Sequence, residues 1–264
     1  MHNKRAFAST LALLLLTVTA VLRSAEPAEV DPKAVDPAAP ADEERIPPAP
    51  THYMGRRIAQ TMHWAGADWL TRKEREREEG VSLLEAELRT KIKPGMTVCD
   101  LGCGNGFWTL KLSKMVGPEG KVYAVDIQKE MLELLKAEAE KAEARNIVPV
   151  LNNAVSAKLP PNSCDLILLV DVYHEFSHPQ QMLASMRQAL KPGGLIALVE
   201  FRAEDDEVPI KPEHKMSKQQ ILKEYTANGY KPAGEFDKLP WQHVMYFQRG
   251  DAKTDPPNRS NRAD

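Results

Sequence analysis

The stretch Val98-Cys99-Asp100-Leu101-Gly102-Cys103-Gly104-Asn105-Gly106-Phe107-Trp108-Thr109 sets an acid and three alternate glycines directly after an apolar run, and an amphipathic helical pattern follows from Thr109 to Val116. Glycines at such a turn admit positive φ and allow a ligand close to the main chain. Strand, tight turn and helix would therefore frame a cleft for a nucleotide-like molecule. Asp126 ends the alternating strand pattern that starts at Gly120, twenty positions beyond Gly106. A carboxylate there can accept bonds from both ribose hydroxyls, the role an acid plays in dinucleotide folds. Capping the following helix, Gln128 to Ala144, is a second role compatible with the first. Farther on, the apolar run Cys164 to Asp171 leads into Val172-Tyr173-His174-Glu175-Phe176. His174 is the first choice for a general base, since imidazole titrates near neutrality and can take a proton from a hydroxyl, thiol or amine. Orienting the loop is its competing role. Glu175 would orient His174 or bind substrate, and Tyr173 would wall the pocket.

The nicotinamide-dinucleotide fingerprint G-x-G-x-x-G would place its last glycine at Phe107, whereas this run reads D-x-G-x-G-x-G. That pattern resembles motif I of the class I S-adenosylmethionine (SAM)-dependent methyltransferases. The resemblance spans about Lys93 to Gln248 and includes Leu159-Pro160-Pro161 and the family's LKPGG motif in Leu190-Lys-Pro-Gly-Gly-Leu-Ile-Ala-Leu-Val-Glu. It implies SAM as cofactor, with Asp100 beneath the ammonium-bearing end and Gly102, Gly104 and Gly106 giving the main chain its close approach. Asp126 would meet the ribose and Ile127 would lie along the adenine. Asn153 and Ala154 stand where family members often carry an acid bonding the adenine amino group, and Asp171 joins the cofactor set. His174 and Glu175 would face the methyl group. The chemistry implied requires no metal, and no Cys/His pair has zinc-site spacing.

The elements that must position these groups follow from the same resemblance: an α/β, Rossmann-like, doubly wound sheet of seven mostly parallel strands with an antiparallel last strand, plus amino-terminal cap helices. Cys164 to Asp171 reads as a strand covered on both faces. The helix after Ser177-His-Pro-Gln180 ends near Leu190, Lys191-Pro192-Gly193-Gly194 stops it, and Leu195 to Phe201 forms the next strand. Arg202 to Met216, with Pro209, Lys211, Pro212, His214 and Lys215, is a long non-periodic loop of the kind that reads substrate. Ser217-Lys-Gln-Gln220 opens the last helix, and Tyr230 to Phe236 with Trp241 to Gln248 form the closing strand pair, in which His243 is structural.

Outside residues 93–249, assigned to the methyltransferase domain, four segments stand apart. Lys4-Arg5 before an apolar run from Ala6 to Leu22 reads as a signal peptide, residues 1–25, which if functional would make the protein periplasmic or secreted and leave no membrane span after cleavage; otherwise the protein would be cytoplasmic or anchored to the membrane by this run. Residues 26–50, rich in Pro, Ala and acids, read as a disordered linker. Residues 51–92 read as a helical cap. Within it Ile58, Met62, Ala65 and Trp69 recur at helical spacing, and capping boxes at Thr71–Glu74 and Ser82–Glu85 open two helices. Trp64, Trp69 and His63 would either line the cofactor site or pack on the sheet, and the charged run to Glu79 reads as a solvated face. Residues 250–264 read as a disordered tail.

A net charge of −2 over 264 residues, with no long basic face, gives no support for nucleic-acid binding. The three cysteines read as packing residues. A small-molecule methyl acceptor is the implied partner. The rival readings are an exported, non-catalytic SAM-binding protein of the same fold and a nicotinamide oxidoreductase, which the mismatch at Phe107 disfavours.

Overall fold

The computed structural model describes residues 46–250. The expected signal peptide, the linker up to residue 45 and the tail beyond residue 250 lie outside the described residues. The chain enters through an antiparallel hairpin, β1 (His52–Tyr53) and β2 (Arg56–Arg57), turned by Met54 and Gly55 at positive φ. A 3-10 helix, Trp64–Thr71, leads to α1 (Arg75–Glu79) and α2 (Val81–Lys91).

This differs from the expected cap in three ways. The helical repeat from Ile58 is absent up to Trp64. The Thr71 box does not form, because α1 starts at Arg75 without a side-chain cap. In the second box Ser82 lies inside α2, whose amino end is served by the Glu76 carboxylate, 3.1 Å from the Ser82 N–H.

The sheet is built from β3 (Thr97–Leu101), β4 (Lys121–Asp126), β5 (Ile147–Leu151), β6 (Cys164–Val170), β7 (Leu190–Arg202), β8 (Lys215–Met216), β9 (Tyr230–Phe236) and β10 (Gln242–Arg249). Its order is β5-β4-β3-β6-β7-β10-β9, and β10 runs antiparallel to both neighbours. The two-residue β8 pairs with the end of β7, an eighth strand beyond the seven expected. Its helices are α3 (Phe107–Val116), α4 (Lys129–Lys141), α5 (Pro179–Ala189) and α6 (Lys218–Ala227).

Period-two alternation explains the layering. Val98, Leu166, Leu168, Ala197 and Val199 pack with α2 and α3 through Leu84, Leu88 and Leu112. Their neighbours Cys99, Leu101, Ile167, Leu169, Ile196 and Leu198 pack with α5 and α6 through Met182, Met186, Ile221 and Tyr225. Strands buried on both sides read as unbroken apolar runs, as β6 does.

Of the remaining caps, Ser217 does accept from the Gln220 N–H, whereas α5 begins with Pro179 after an uncapped His178. Strand β7 starts at Leu190, so the LKPGG residues belong to the strand rather than preceding it. Strand order reverses between β3 and β6, and in an open α/β sheet the carboxyl ends of the strands at such a reversal bound a crevice.

Candidate functional site

A cavity of about 460 Å³ opens at that crevice, within the range that holds small ligands. Ten of the eleven residues expected at the site line it: Asp100, Gly102, Gly104, Asp126, Ile127, Asn153, Ala154, Asp171, His174 and Glu175. Gly106 does not. It caps α3 at φ 92°, and a Cβ there would come within 2.2 Å of Leu135 Cδ1. At Gly102, with φ 78°, an added Cβ would meet Val172 at 2.4 Å. Gly106 is thus required by positive φ and by close packing of the loop on its own protein, and the same constraints act at Gly102, which also lines the cavity.

The acids at the ends of β3 and β4 are buried and already engaged. Asp100 Oδ2 accepts the Thr109 hydroxyl at 2.6 Å. Asp126 accepts the Gly104 N–H and the Gln128 N–H, each at 2.9 Å, which ties the glycine loop to β4. The helix cap itself is Gln128 rather than Asp126, so α4 begins at Lys129, one residue inside the expected start. Burial, reinforced by the charge of Asp126 and opposed by the Thr109 bond, raises the Asp100 pKa to about 7. Burial raises that of Asp126 too, against its backbone bonds.

Asp171 sits just past β6 at φ 52°. Its Oδ2 accepts from Gln242 at 2.6 Å, while its buried Oδ1 has no partner. Burial, then the charges of Glu79 and Glu200, holds its carboxyl well above the ordinary range. The side-chain oxygen of Asn153 is committed to its own turn, accepting from Val155 and Ser156. Its neighbour Asn152 also lines the cavity and has the unpartnered oxygen, Oδ1. Asn152 was missed because two adjacent asparagines are indistinguishable in sequence until the turn fixes which faces inward.

The opposite end of the cavity is built on the 3-10 turn Tyr173–Glu175. His174 Nδ1 lies 2.5 Å from Glu200 Oε2, and the His174 N–H donates to the other Glu200 oxygen at 3.3 Å. Glu200 follows Ile196 and Leu198 on one face of β7 and is fully buried. Sequence reasoning passed over it, although it is the one charge in the apolar run Leu195 to Phe201. Burial disfavours a charged imidazole at His174, but Glu200 outweighs this and leaves the pKa raised. His174 Nε2 is 3.1 Å from Nδ1 of His214, which the 3-10 turn Pro212–His214 brings in from the long loop. Burial and the neighbouring His174 lower the His214 pKa. Glu175 accepts from the Met62 N–H at 3.3 Å, and burial lifts its carboxyl to about 7.

Two expectations fail here, the second in part. Tyr173 does not wall the cavity: it is buried in the core, donating to Glu224 at 2.7 Å. The charged run is a solvated face only in part: Lys73, Glu74, Glu76 and Arg77 are exposed, whereas Arg75 and Glu79 are buried, paired at 2.6 Å, and line the cavity with Arg72. Trp69 lines it as well, whereas Trp64 and His63 do not. Cys99, Cys103 and Cys164 are all buried free thiols.

A family model described as a methyltransferase domain matches residues 92–249. Among curated proteins, demethylmenaquinone methyltransferase of Listeria welshimeri is 28% identical over 110 residues, 42% of this chain and 47% of that protein. The enzyme of the same name from Lactococcus lactis is 33% identical over 106 residues, covering 40% and 42% respectively. The matched region is thus under half the length of those relatives. Among solved structures, a SAM-dependent methyltransferase from Aquifex aeolicus superposes with a TM-score of 0.66 at 26% identity, over 71% of this chain and 98% of that one.

Proposed function

The chain belongs to the methyltransferase-domain family of class I SAM-dependent enzymes, and from that premise we propose that it methylates a small-molecule acceptor held against the turn Tyr173–Glu175. The observation that carries this reading is one cavity joining the acids of β3 and β4 to a buried imidazole braced by Glu200.

The residues present fit the cofactor. Unpartnered buried oxygens of Asn152 and Asp171 line the cavity, and buried acceptors without donors call for a ligand that brings them. Asp126 and Asn152 would hold the ribose and the adenine, each Asp126 oxygen retaining a lone pair beyond its backbone bond. Asp100 would face the ammonium group, and Asp171 a further positive portion of the ligand. When bound, SAM supplies an activated methyl on a sulfonium, so no further activation of the carbon is required.

What remains for the protein is to orient the acceptor and remove its proton. Glu200 fixes the ring of His174, which leaves Nε2 to take that proton. Met62, Phe107, Phe176, Phe201 and Ile210 supply apolar wall, which suits a small acceptor with an apolar or aromatic body. The relatives named as demethylmenaquinone methyltransferases favour the same class.

Calorimetric titration with SAM and with NAD tests the cofactor reading: tight NAD binding without a SAM response would overturn it. A screen of acceptors with labelled SAM tests the activity. In it, His174→Ala should lower turnover by about 10²-fold or more while SAM affinity stays within about threefold of the parent. Unchanged turnover would remove His174 from the reaction.

A further inference from the structure

We propose that His174, Glu175 and His214 bind one divalent transition-metal ion at the acceptor end of the cavity. The role of this site in methyl transfer rests on the reading above; the binding itself does not.

Three donor atoms converge there. His174 Nε2 and His214 Nδ1 are 3.1 Å apart, and Glu175 Oε1 is 4.0 Å from His174 Nε2. All three atoms lie within 4.8 Å of one another. Ligands around a tetrahedral zinc, with bonds of about 2.0–2.1 Å, stand about 3.3 Å from each other. Only a modest swing of the Glu175 carboxylate closes the set. Two imidazoles and one carboxylate suit Zn²⁺, Co²⁺ or Fe²⁺ rather than the all-oxygen preference of Mg²⁺ and Ca²⁺.

A second observation points the same way. An imidazole that ligates a metal characteristically gives its other N–H to a carboxylate, which fixes tautomer and ring orientation. Glu200 stands 2.5 Å from His174 Nδ1 and, fully buried on β7, touches no solvent. With that bond made, Nε2 presents its lone pair to His214. Two ring nitrogens facing at 3.1 Å otherwise need a proton between them; a cation satisfies both at once.

The charge around the cluster also favours a cation. The carboxylates of Glu200 and Glu175 stand 2.5 Å and 4.0 Å from the His174 ring, while Arg72 and Arg75 are engaged with Glu79 and Arg56 with Glu224. Lys211 on the cavity wall is the charge that opposes it. A bound cation would leave an open position toward the cavity. There it would acidify an acceptor hydroxyl or thiol, whose proton departs to solvent while the heteroatom keeps its electron pair. With the cation bound, His174 Nε2 is a ligand and not the base, so the loss of turnover expected for His174→Ala would then be accompanied by loss of the bound ion, which an imidazole acting only as base would not show.

The test is calorimetry of the full chain, stripped with chelator, against Zn²⁺, with SAM titrated in parallel. One equivalent should bind. His214→Ala should weaken it at least about 100-fold, and Glu200→Gln by about 10–100-fold. Substitution by Co²⁺ should give the visible bands of a four- or five-coordinate ion, with paramagnetically shifted protons from two imidazoles in the unaltered protein, a readout that survives if a variant fails to fold. Absence of stoichiometric binding, or binding that His214→Ala leaves intact, overturns the site. SAM binding with no metal response sinks the site alone; metal binding with no SAM response sinks the methyl-transfer reading alone.

Discussion

If Asp100 faces the ammonium group of the cofactor, as proposed, cofactor binding should depend on pH. The Asp100 pKa is raised to about 7 from an ordinary 3.8, because burial outweighs the Thr109 bond. Between those values the folded protein holds a proton that the unfolded chain has released. The stabilising contribution of this group is therefore full below pH 3.8 and declines as pH rises toward 7. A ligand ammonium group requires the carboxylate, so binding below about pH 7 must expel that proton, weakening affinity by up to about tenfold per pH unit. SAM calorimetry between about pH 5.5 and about pH 8 should show this slope, and Asp100→Asn should flatten it while weakening binding at pH 8. A pH-independent dissociation constant for the parent would contradict the placement. Gly106→Ala acts differently. The left-handed φ of 92° and the clash with Leu135 burden the fold itself. The change should cost about 1–3 kcal/mol in urea unfolding, with or without SAM.

At the scale of elements, the segment before the matched domain holds the turn that bears His174. Arg56 of β2 pairs with the fully buried Glu224 of α6 at 2.7 Å and donates to the His174 carbonyl at 3.0 Å; Ala59 N–H donates to the same carbonyl at 3.0 Å. Removing one partner of a buried pair strands the other charge, so Arg56→Ala should destabilise the protein by about 3–5 kcal/mol in urea unfolding. A loss below about 1 kcal/mol would mean that the pair behaves as an exposed one. This latch was not legible in the sequence. The hairpin turns on Met54-Gly55, without the Asn-Gly or Asp-Gly signal of a tight turn, and helical spacing from Ile58 suggested the wrong element. The strands β3, β4 and β6 were legible because each apolar run carries an acid at or beside its carboxyl end, Asp100, Asp126 and Asp171, so that burial pattern and candidate site coincide. Glu200 and His214 converge only through strand order and a long loop, which no local periodicity encodes. The Arg75–Glu79 pair looked solvated because a charge run announces neither its partners nor the cavity beneath it.

Across the whole molecule, the three thiols report how the sheet opens. Cys99 and Cys164 sit on adjacent parts of the core at zero exposure, whereas Cys103 belongs to the glycine loop and lines the cavity. Burial pushes all three pKa values up, so each is both shielded and poorly nucleophilic in the native state. Reaction with a thiol reagent must then await opening, and opening free energies differ across a structure. Cys99 and Cys164 can react only when the central strands separate, so their rates should follow global unfolding across a urea series. Cys103 needs only the loop between β3 and α3 to lift, so it should react faster than the other two. A cofactor seated against Asp100, Gly102 and Gly104, as proposed, would bind the closed loop alone. At about 100 times its dissociation constant it should therefore slow Cys103 labelling about 100-fold. Mass spectrometry of the labelled peptides with and without SAM separates the sites. Equal rates for the three thiols, or a Cys103 rate indifferent to SAM, would show that the loop does not open on its own or does not touch the ligand.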